Sequence, residues 1–70
     1  MEGIIKWFNE RKGFGFISTV DYGDVFVHYS SILGDGYKNL YDNQRVRFTL
    51  KKGDNGYYAE NVELIREVTK

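Results

Sequence analysis

Residues 13–29 read GFGFISTVDYGDVFVHY, and they contain two short runs in which rings alternate with small or aliphatic side chains. Successive side chains of a strand project to opposite faces, so Phe14 and Phe16 share one face while Ile17 lies on the other. The segment 21–24, Asp-Tyr-Gly-Asp, has the composition of a turn and separates this run from the next. The stretch therefore predicts two adjacent antiparallel strands.

The second run carries Val25 and Val27 on one face and Phe26 and His28 on the other. A face of rings opposite a face of aliphatics differs from an ordinary core, in which Phe mixes with branched aliphatics. We therefore expect the valines to point inward and the rings of both runs to form an exposed surface. The alternative is that these rings are simply part of the core.

Glycine positions indicate where the chain turns or is closely approached. Gly13 and the pair Asn55-Gly56 are expected to take the positive φ values of tight turns. Gly13 and Gly15 also flank Phe14, which favours a face that another group approaches closely.

Short alternating runs continue along the rest of the chain, which has eight glycines and no proline. Residues 30–44 break the pattern, and connections of that length are uncommon unless they are functional. Five short strands leave exposed edges unless the sheet closes, so the sequence predicts an all-β fold, a five-stranded antiparallel barrel. The tail, residues 61–68, could instead form a short amphipathic helix, although a strand is preferred. The strands are expected at residues 4–9, 14–19, 25–29, 45–50 and 57–63.

Composition limits the classes of function. At 70 residues the chain has room for one domain, residues 1–70. Its 10 Lys and Arg balance 10 Asp and Glu, which argues against a protein held to nucleic acid mainly by phosphate contacts. With no Cys and one His, we expect no metal site, and we expect no cofactor. No long apolar run or signal segment is visible, so we expect a cytoplasmic protein without membrane association.

Catalytic residues are not evident in this sequence. Nucleophilic catalysis needs a Ser or Cys with a His base and an orienting acid, whereas this chain has His28 beside Ser30 and Ser31 at a strand end. We therefore do not expect an enzyme.

Aromatic residues form 17% of the chain, too many rings for so small a core to bury. Unpaired nucleobases bind rows of exposed rings because every base has a π face, and each stacked base contributes about 1–3 kcal/mol. Lys6, Arg11 and Lys12 flank Trp7 and Phe14, so about two or three phosphate contacts are expected and affinity should come mainly from stacking. A barrel whose aromatic groove binds extended peptides is the alternative.

The alternation leaves the orientation of Trp7 open. Ile5 and Trp7 have the same parity, so Trp7 would point inward with Ile5 unless the strand contains a bulge or a sharp coil. Because Trp7 and Phe8 are adjacent, only one of them can face the ring surface on a regular strand.

Three segments resemble motifs of the cold-shock domain family: GIIKWFN at residues 3–9, KGFGFI at 12–17 and DVFVHY at 24–29. The two later segments resemble its ribonucleoprotein-type motifs, and the resemblance extends from about residue 3 to residue 62. It implies a five-stranded oligonucleotide-binding (OB-fold) barrel that binds single-stranded RNA and DNA and melts RNA secondary structure as an RNA chaperone. It also implies roles in the cold-shock response, in transcription antitermination and in translation.

The resemblance further implies which residues contact nucleic acid, and it places Trp7 on the exposed surface. Phe8 matches a position at the edge of this surface, and Asp24 matches one that can hydrogen-bond a base. Lys6 and Lys12 match polar and phosphate contacts. The stacking side chains are expected to be Trp7, Phe14, Phe16, Phe26, His28, Tyr29 and Tyr37.

Two positions depart from the family pattern. Tyr29 stands where Phe is more common, which keeps the ring and adds a hydroxyl. Tyr57 replaces a usual proline, which frees φ and restores a backbone donor, so the loop at residues 54–56 is expected to be more mobile. Tyr58 could add one more ring to the surface or could pack on the hairpin. We expect a monomer, with a strand-exchanged dimer as the alternative.

Overall fold

Five strands build the structure, a computed structural model that describes residues 1–34, 40 and 42–65. They are β1 (Glu2–Asn9), β2 (Phe14–Thr19), β3 (Gly23–His28), β4 (Arg45–Gly53) and β5 (Gly56–Leu64). They close into a barrel in the order β1, β2, β3, β5, β4. Neighbours pair antiparallel, except that β3 and β5 meet in parallel at Phe26 and Tyr58. The expected all-β, five-stranded barrel is confirmed.

The core lies inside the barrel, on the aliphatic faces that the alternation predicts. Ile17, Val25 and Val27 are all 0% exposed, so the inward orientation of these side chains is confirmed. Burial of each such side chain contributes about 1.5–3 kcal/mol, which is why the alternation fixes the face of each strand so firmly. The complete core cluster of the described residues is Ile5, Ile17, Val25, Val27, Ile32, Leu40, Val46, Phe48, Ala59 and Val62.

A bulge in β1 resolves the orientation of Trp7. Ile5 pairs with Ile17, but Trp7 pairs with Phe16, so two steps along β1 correspond to one step along β2. The extra residue is Lys6, and it breaks the parity that would have turned Trp7 inward with Ile5. Ile5 is 0% exposed whereas Trp7 is 38% exposed, so the outward position of Trp7 is confirmed.

A second irregularity bends β5 where it pairs with β4. Arg47 pairs with Glu63 and Thr49 pairs with Glu60, so β5 holds one residue more than β4 in this interval. Asn61 lies there with a φ of 54°, in the left-handed region that Asn tolerates better than most residues. The chain nevertheless continues as a strand to Leu64, which confirms the strand over this part of the tail.

One turn confirms the expectation from the sequence, and another turn corrects it. Gly13 has a φ of 78°, as expected for the turn between β1 and β2. In the β4–β5 hairpin, Gly53 pairs with Gly56, so the two loop residues are Asp54 and Asn55. Gly56 takes the positive φ, 126°, and Asn55 does not share it. The expectation for Asn55 was wrong because Gly56 is already the first residue of β5, and the turn lies one residue earlier.

Gly15 is required by the barrel itself. A Cβ at this position would lie 2.7 Å from Cα of Phe8 and would also contact the carbonyl oxygen of Trp7. The close approach that the glycines around Phe14 predict is therefore made, at Gly15, by the backbone of β1.

The connection after β3 begins with ordered structure, and β3 ends one residue earlier than expected. Tyr29 starts a 3₁₀ helix (Tyr29–Ser31), in which the His28 side chain accepts a hydrogen bond from the backbone N–H of Ser30. Ile32 then pairs in parallel with Val62, and its side chain enters the core. The start of the expected loop at residues 30–44 is thus held against β5.

Candidate nucleic-acid interface

Four rings on the outer face of β1, β2 and β3 form what we call the ring cluster: Trp7, Phe14, Phe16 and Phe26. Trp7 contacts Phe14 and Phe16, with ring centroids 5.9 and 5.5 Å apart. Phe26 contacts the same two rings at 5.9 and 5.7 Å. The four rings therefore form a closed circuit of contacts, and each ring is held in place by two others.

Strand register brings these rings together. Phe16 lies between its two cross-strand partners, Trp7 on β1 and Phe26 on β3. Trp7 and Phe26 are 38% and 36% exposed, while Phe14 and Phe16 are partly buried between them. The planes of contacting rings are inclined by 31° to 74°, so the cluster is a faceted surface and its rings are not coplanar. Each tilted ring offers its own face or edge to a flat ligand.

His28 and Tyr29 extend this surface where β3 ends. Their ring centroids are 4.6 Å apart, and the ring planes are inclined by 34°. The backbone N–H of Tyr29 donates to the carbonyl oxygen of Gly13 at 2.8 Å. A Cβ on Gly13 would lie 2.6 Å from the Tyr29 ring, so glycine at this turn makes room for that ring. Phe14 pairs with His28 across the strands, which joins the two groups of rings.

Hydrogen bonds fix the orientation of the His28 ring. Its Nδ1 accepts the backbone N–H of Ser30 at 3.2 Å and lies 2.9 Å from Ser30 Oγ. Because Nδ1 acts as an acceptor, the network assigns the proton of the neutral ring to Nε2. Nε2 is therefore available to donate a hydrogen bond to a ligand.

Charged side chains lie at the border of the ring cluster. Lys6 Nζ lies 2.9 Å from Asp24 Oδ2, and the two side chains are 53% and 45% exposed. Exposed pairs of this kind contribute about 0–1 kcal/mol, so a ligand can compete for either partner. Arg11 and Lys12 are exposed in the turn between β1 and β2. The backbone N–H of Lys12 donates to Asn9 Oδ1 at 2.9 Å, which orders that turn.

Nearly the whole chain matches one known protein family. The family model described as the 'Cold-shock' DNA-binding domain matches residues 1–65. The chain belongs to the cold-shock domain family. Members of this family bind single-stranded nucleic acid and are not enzymes.

Several cold-shock proteins are similar to this chain over nearly its whole length. Cold shock-like protein CspB of Escherichia coli K12 is 52% identical over 63 residues, which are 89% of this chain and 89% of the relative. Cold shock-like protein CspC of Bacillus cereus is 53% identical over 62 residues, 89% of this chain and 95% of the relative. Cold shock protein CspA of Staphylococcus aureus USA300 is 52% identical over 61 residues, 87% of this chain and 92% of the relative.

A solved structure gives independent support for the barrel. The structure of Drosophila Unr CSD456 superposes with a TM-score of 0.75 and 24% sequence identity, and it covers 93% of this chain and 26% of the other. At this identity the match supports the fold alone. Within the described part of this cold-shock domain, no helix is long and apolar enough to cross a bilayer.

The cold-shock domain brings most of the predicted site residues to one surface. The ring cluster, His28, Tyr29, Lys6 and Asp24 lie on or beside it, and Lys12 is exposed in the turn that precedes Phe14. Phe8 is different, because its partly buried ring packs against the core and makes none of the ring contacts above. Tyr58 lies on β5 in register with Phe26. Tyr37 lies outside the described residues.

One aromatic contact was not anticipated from the sequence. Tyr22, in the turn before β3, meets Tyr57 of β5 with centroids 5.0 Å apart and planes inclined by 62°. Tyr57 also packs against the core. The sequence does mark Tyr57 as unusual, since it stands where the family usually has proline. It does not show which side chain the Tyr57 ring would contact.

Proposed function

We propose that this protein binds unpaired RNA and DNA strands by stacking their bases on the ring cluster, His28 and Tyr29. The observation that carries the proposal is the ring cluster itself, exposed on the outer face of strands whose inner face is aliphatic. Contiguous exposed apolar surface on a small domain usually marks a binding site. Bases suit this surface because stacking tolerates any sequence and each stacked base contributes about 1–3 kcal/mol.

The polar groups have separate roles in this proposal. Lys6 and Lys12 contact phosphates or base edges, and Asp24 accepts a hydrogen bond from a base. The ion pair of Lys6 with Asp24 supports such an exchange, since both charges are exposed and their mutual attraction is weak. Phe8 supports the surface from its edge. Tyr37, a further stacking residue in the proposal, lies outside the described residues.

The protein acts as an RNA chaperone by mass action and needs no ATP. A protein that binds only unpaired bases stabilises the open form of a hairpin, and the population moves towards that form. Release must remain fast for the strand to be used again, which favours modest affinity. Melting of RNA structure in this way accounts for a role in the cold-shock response, in transcription antitermination and in translation. These roles belong to the cytoplasm, which is the location that the proposal assigns to the protein.

The experiment that tests this proposal is a titration of Trp7 fluorescence with an oligothymidine of roughly seven nucleotides, within the usual site size of OB folds. The titration is made at two salt concentrations, with the matching duplex as control. Stacking predicts strong quenching by the single strand and none by the duplex. Failure of the single strand to quench Trp7 would contradict the proposal, and binding of an extended proline-rich peptide by the same assay would put the peptide-binding alternative in its place.

The same proposal takes residues 1–70 as one cold-shock domain that binds as a monomer. Light scattering measured with and without the oligothymidine tests this. A mass of one chain is expected in both samples, whereas a doubled mass would support the strand-exchanged dimer.

A further inference from the structure

The outer surface of the barrel continues beyond the ring cluster in a direction that the cold-shock motifs do not cover. The register pairs Trp7 with Phe16, and Phe16 with Phe26. It then pairs Phe26 with Tyr58 on β5, and Tyr58 with Lys51 on β4. One row of side chains therefore crosses all five strands, and its far end is a ring followed by a cation.

Tyr58 faces outward, on the same side of the sheet as Phe26. Its neighbour Ala59 is 1% exposed and belongs to the core, so the alternation of β5 turns Tyr58 to the outer face. Paired residues of neighbouring strands project to the same face, and their strands lie about 4.8 Å apart. Tyr58 thus follows Phe26 in the outer row of side chains, and its ring extends towards β4.

The lack of a side chain at Gly53 makes room for the Tyr58 ring. A Cβ on Gly53 would lie 3.2 Å from Cε1 and 3.3 Å from Cδ1 of Tyr58, which is close contact. The ring therefore rests over the backbone of β4 where another side chain would crowd it. A ring supported in this way loses little further freedom when a base stacks on it, which favours binding.

Lys51 supplies a positive charge next to this ring. Arg45 and Arg47, which precede it on the same face of β4, form ion pairs with Glu2 and Glu63. Lys51 is exposed and takes part in none of the ion pairs among the described residues. Glu60, two residues from Tyr58 on β5, repels phosphate, so a strand that reaches Tyr58 would pass on the side of Lys51.

We propose that Tyr58 and Lys51 form a lateral subsite, which takes one unpaired base on the Tyr58 ring and the adjacent phosphate on the Lys51 ammonium. This inference rests on the proposed function, because it extends the path of a bound single strand across β5 to β4. The path through Phe26 then has two continuations, one along β3 to His28 and one across the barrel to Tyr58.

The test compares oligothymidines of roughly four and eight nucleotides, which span the lower part of the OB-fold range. Tyr58→Ala is expected to weaken binding of the longer strand at least about fivefold, the lower limit for one lost stacked base, while the shorter strand binds as before. Tyr58→Phe keeps the ring and should bind both strands as the unaltered protein does. Equal binding of the longer strand by Tyr58→Ala and the unaltered protein would overturn the inference.

Lys51 and Lys52 provide a matched pair for the charge. They are adjacent and both exposed, but Lys51 pairs with Tyr58 and Lys52 pairs with Tyr57, on opposite faces of β4. Lys51→Gln should reduce the slope of log affinity against log salt by about 0.7, the value for one phosphate on a single strand. Lys52→Gln should leave the slope unchanged. Equal slopes for the two variants would refute the phosphate contact, and this holds even if Tyr58→Ala fails to fold.

The experiment separates failure of the lateral subsite from failure of the proposed function. If the unaltered protein binds neither oligothymidine, the proposed function is wrong and the subsite falls with it. If it binds both, and neither Tyr58→Ala nor Lys51→Gln changes that binding, the function stands and only the lateral subsite is rejected.

Discussion

Replacement of Phe26 by Ala, compared with replacement of its neighbour Val27, separates the binding face of the barrel from its core. The two residues are adjacent on β3 but lie on opposite faces. Phe26 is 36% exposed and contacts Phe14 and Phe16, whereas Val27 is 0% exposed. Phe26→Ala should therefore impair binding, and Val27→Ala should impair stability.

The expected sizes follow from these environments. Phe26→Ala removes one stacking surface, about 1–3 kcal/mol of binding free energy or roughly 5- to 150-fold in affinity. It also removes two ring contacts at a wet surface, at a cost of about 1 kcal/mol in stability. Val27→Ala deletes two buried methyl groups and leaves a cavity, which costs about 2 kcal/mol. A 70-residue domain with roughly 4–10 kcal/mol of stability tolerates either change.

Thermal unfolding and Trp7 fluorescence measure the two effects on the same samples. Trp7 contacts the rings of Phe14 and Phe16 and not that of Phe26, so it remains a reporter in Phe26→Ala. Val27→Ala should lower Tm by about 8–16 °C, since about 4–8 °C corresponds to 1 kcal/mol in a domain of this size. Its affinity for oligothymidine should be unchanged below its Tm. The reverse pattern, with Phe26→Ala unfolded or binding normally, would refute the assignment of the two faces.

Three further predictions test other parts of the structure. The slope of log affinity against log salt concentration is expected to be about −1.4 to −2.1, for two or three phosphate contacts. Lys12→Gln should reduce the magnitude of this slope by about 0.7, as measured by titration at several salt concentrations. Gly15→Ala should destabilise the barrel by about 1–3 kcal/mol or prevent folding, because its Cβ would press on the backbone of Phe8. Denaturant unfolding measures this change, and unchanged stability would contradict the packing of β1 on β2. Tyr57→Ala should cost about 1–3 kcal/mol in unfolding free energy, since it removes a ring that packs on the core and on Tyr22, while affinity for oligothymidine stays the same.

The faces of β2 and β3 could be predicted from sequence because burial enforces a strict alternation there. A shift of one residue would expose Ile17, Val25 and Val27 and bury the rings, so few other registers compete. The outward positions of Phe16 and Phe26 follow directly from this alternation. The same reasoning gave the number of strands, since the alternation recurs wherever a strand has one buried face.

Trp7 could not be placed in this way because its orientation depends on a bulge. Insertion of Lys6 between the pairs Ile5–Ile17 and Trp7–Phe16 changes parity without changing the composition of the strand. Asn61 has the same effect in β5. Bulges reflect how a barrel closes, which depends on the whole sheet, and local alternation therefore cannot locate them. Only the family resemblance indicated that Trp7 is exposed.

The bulge at Lys6 also explains how a chain without net charge can present a nucleic-acid surface. It turns two consecutive side chains, Lys6 and Trp7, to the same outer face, and so sets a cation beside the ring cluster. Asp24 at the start of β3 holds that cation at 2.9 Å and balances its charge in the free protein. Long-range attraction of phosphate is therefore weak, and affinity must come from stacking at short range. Stacking requires unpaired bases, so selectivity for single strands follows from a binding surface made of rings, with its nearby lysine paired to Asp24.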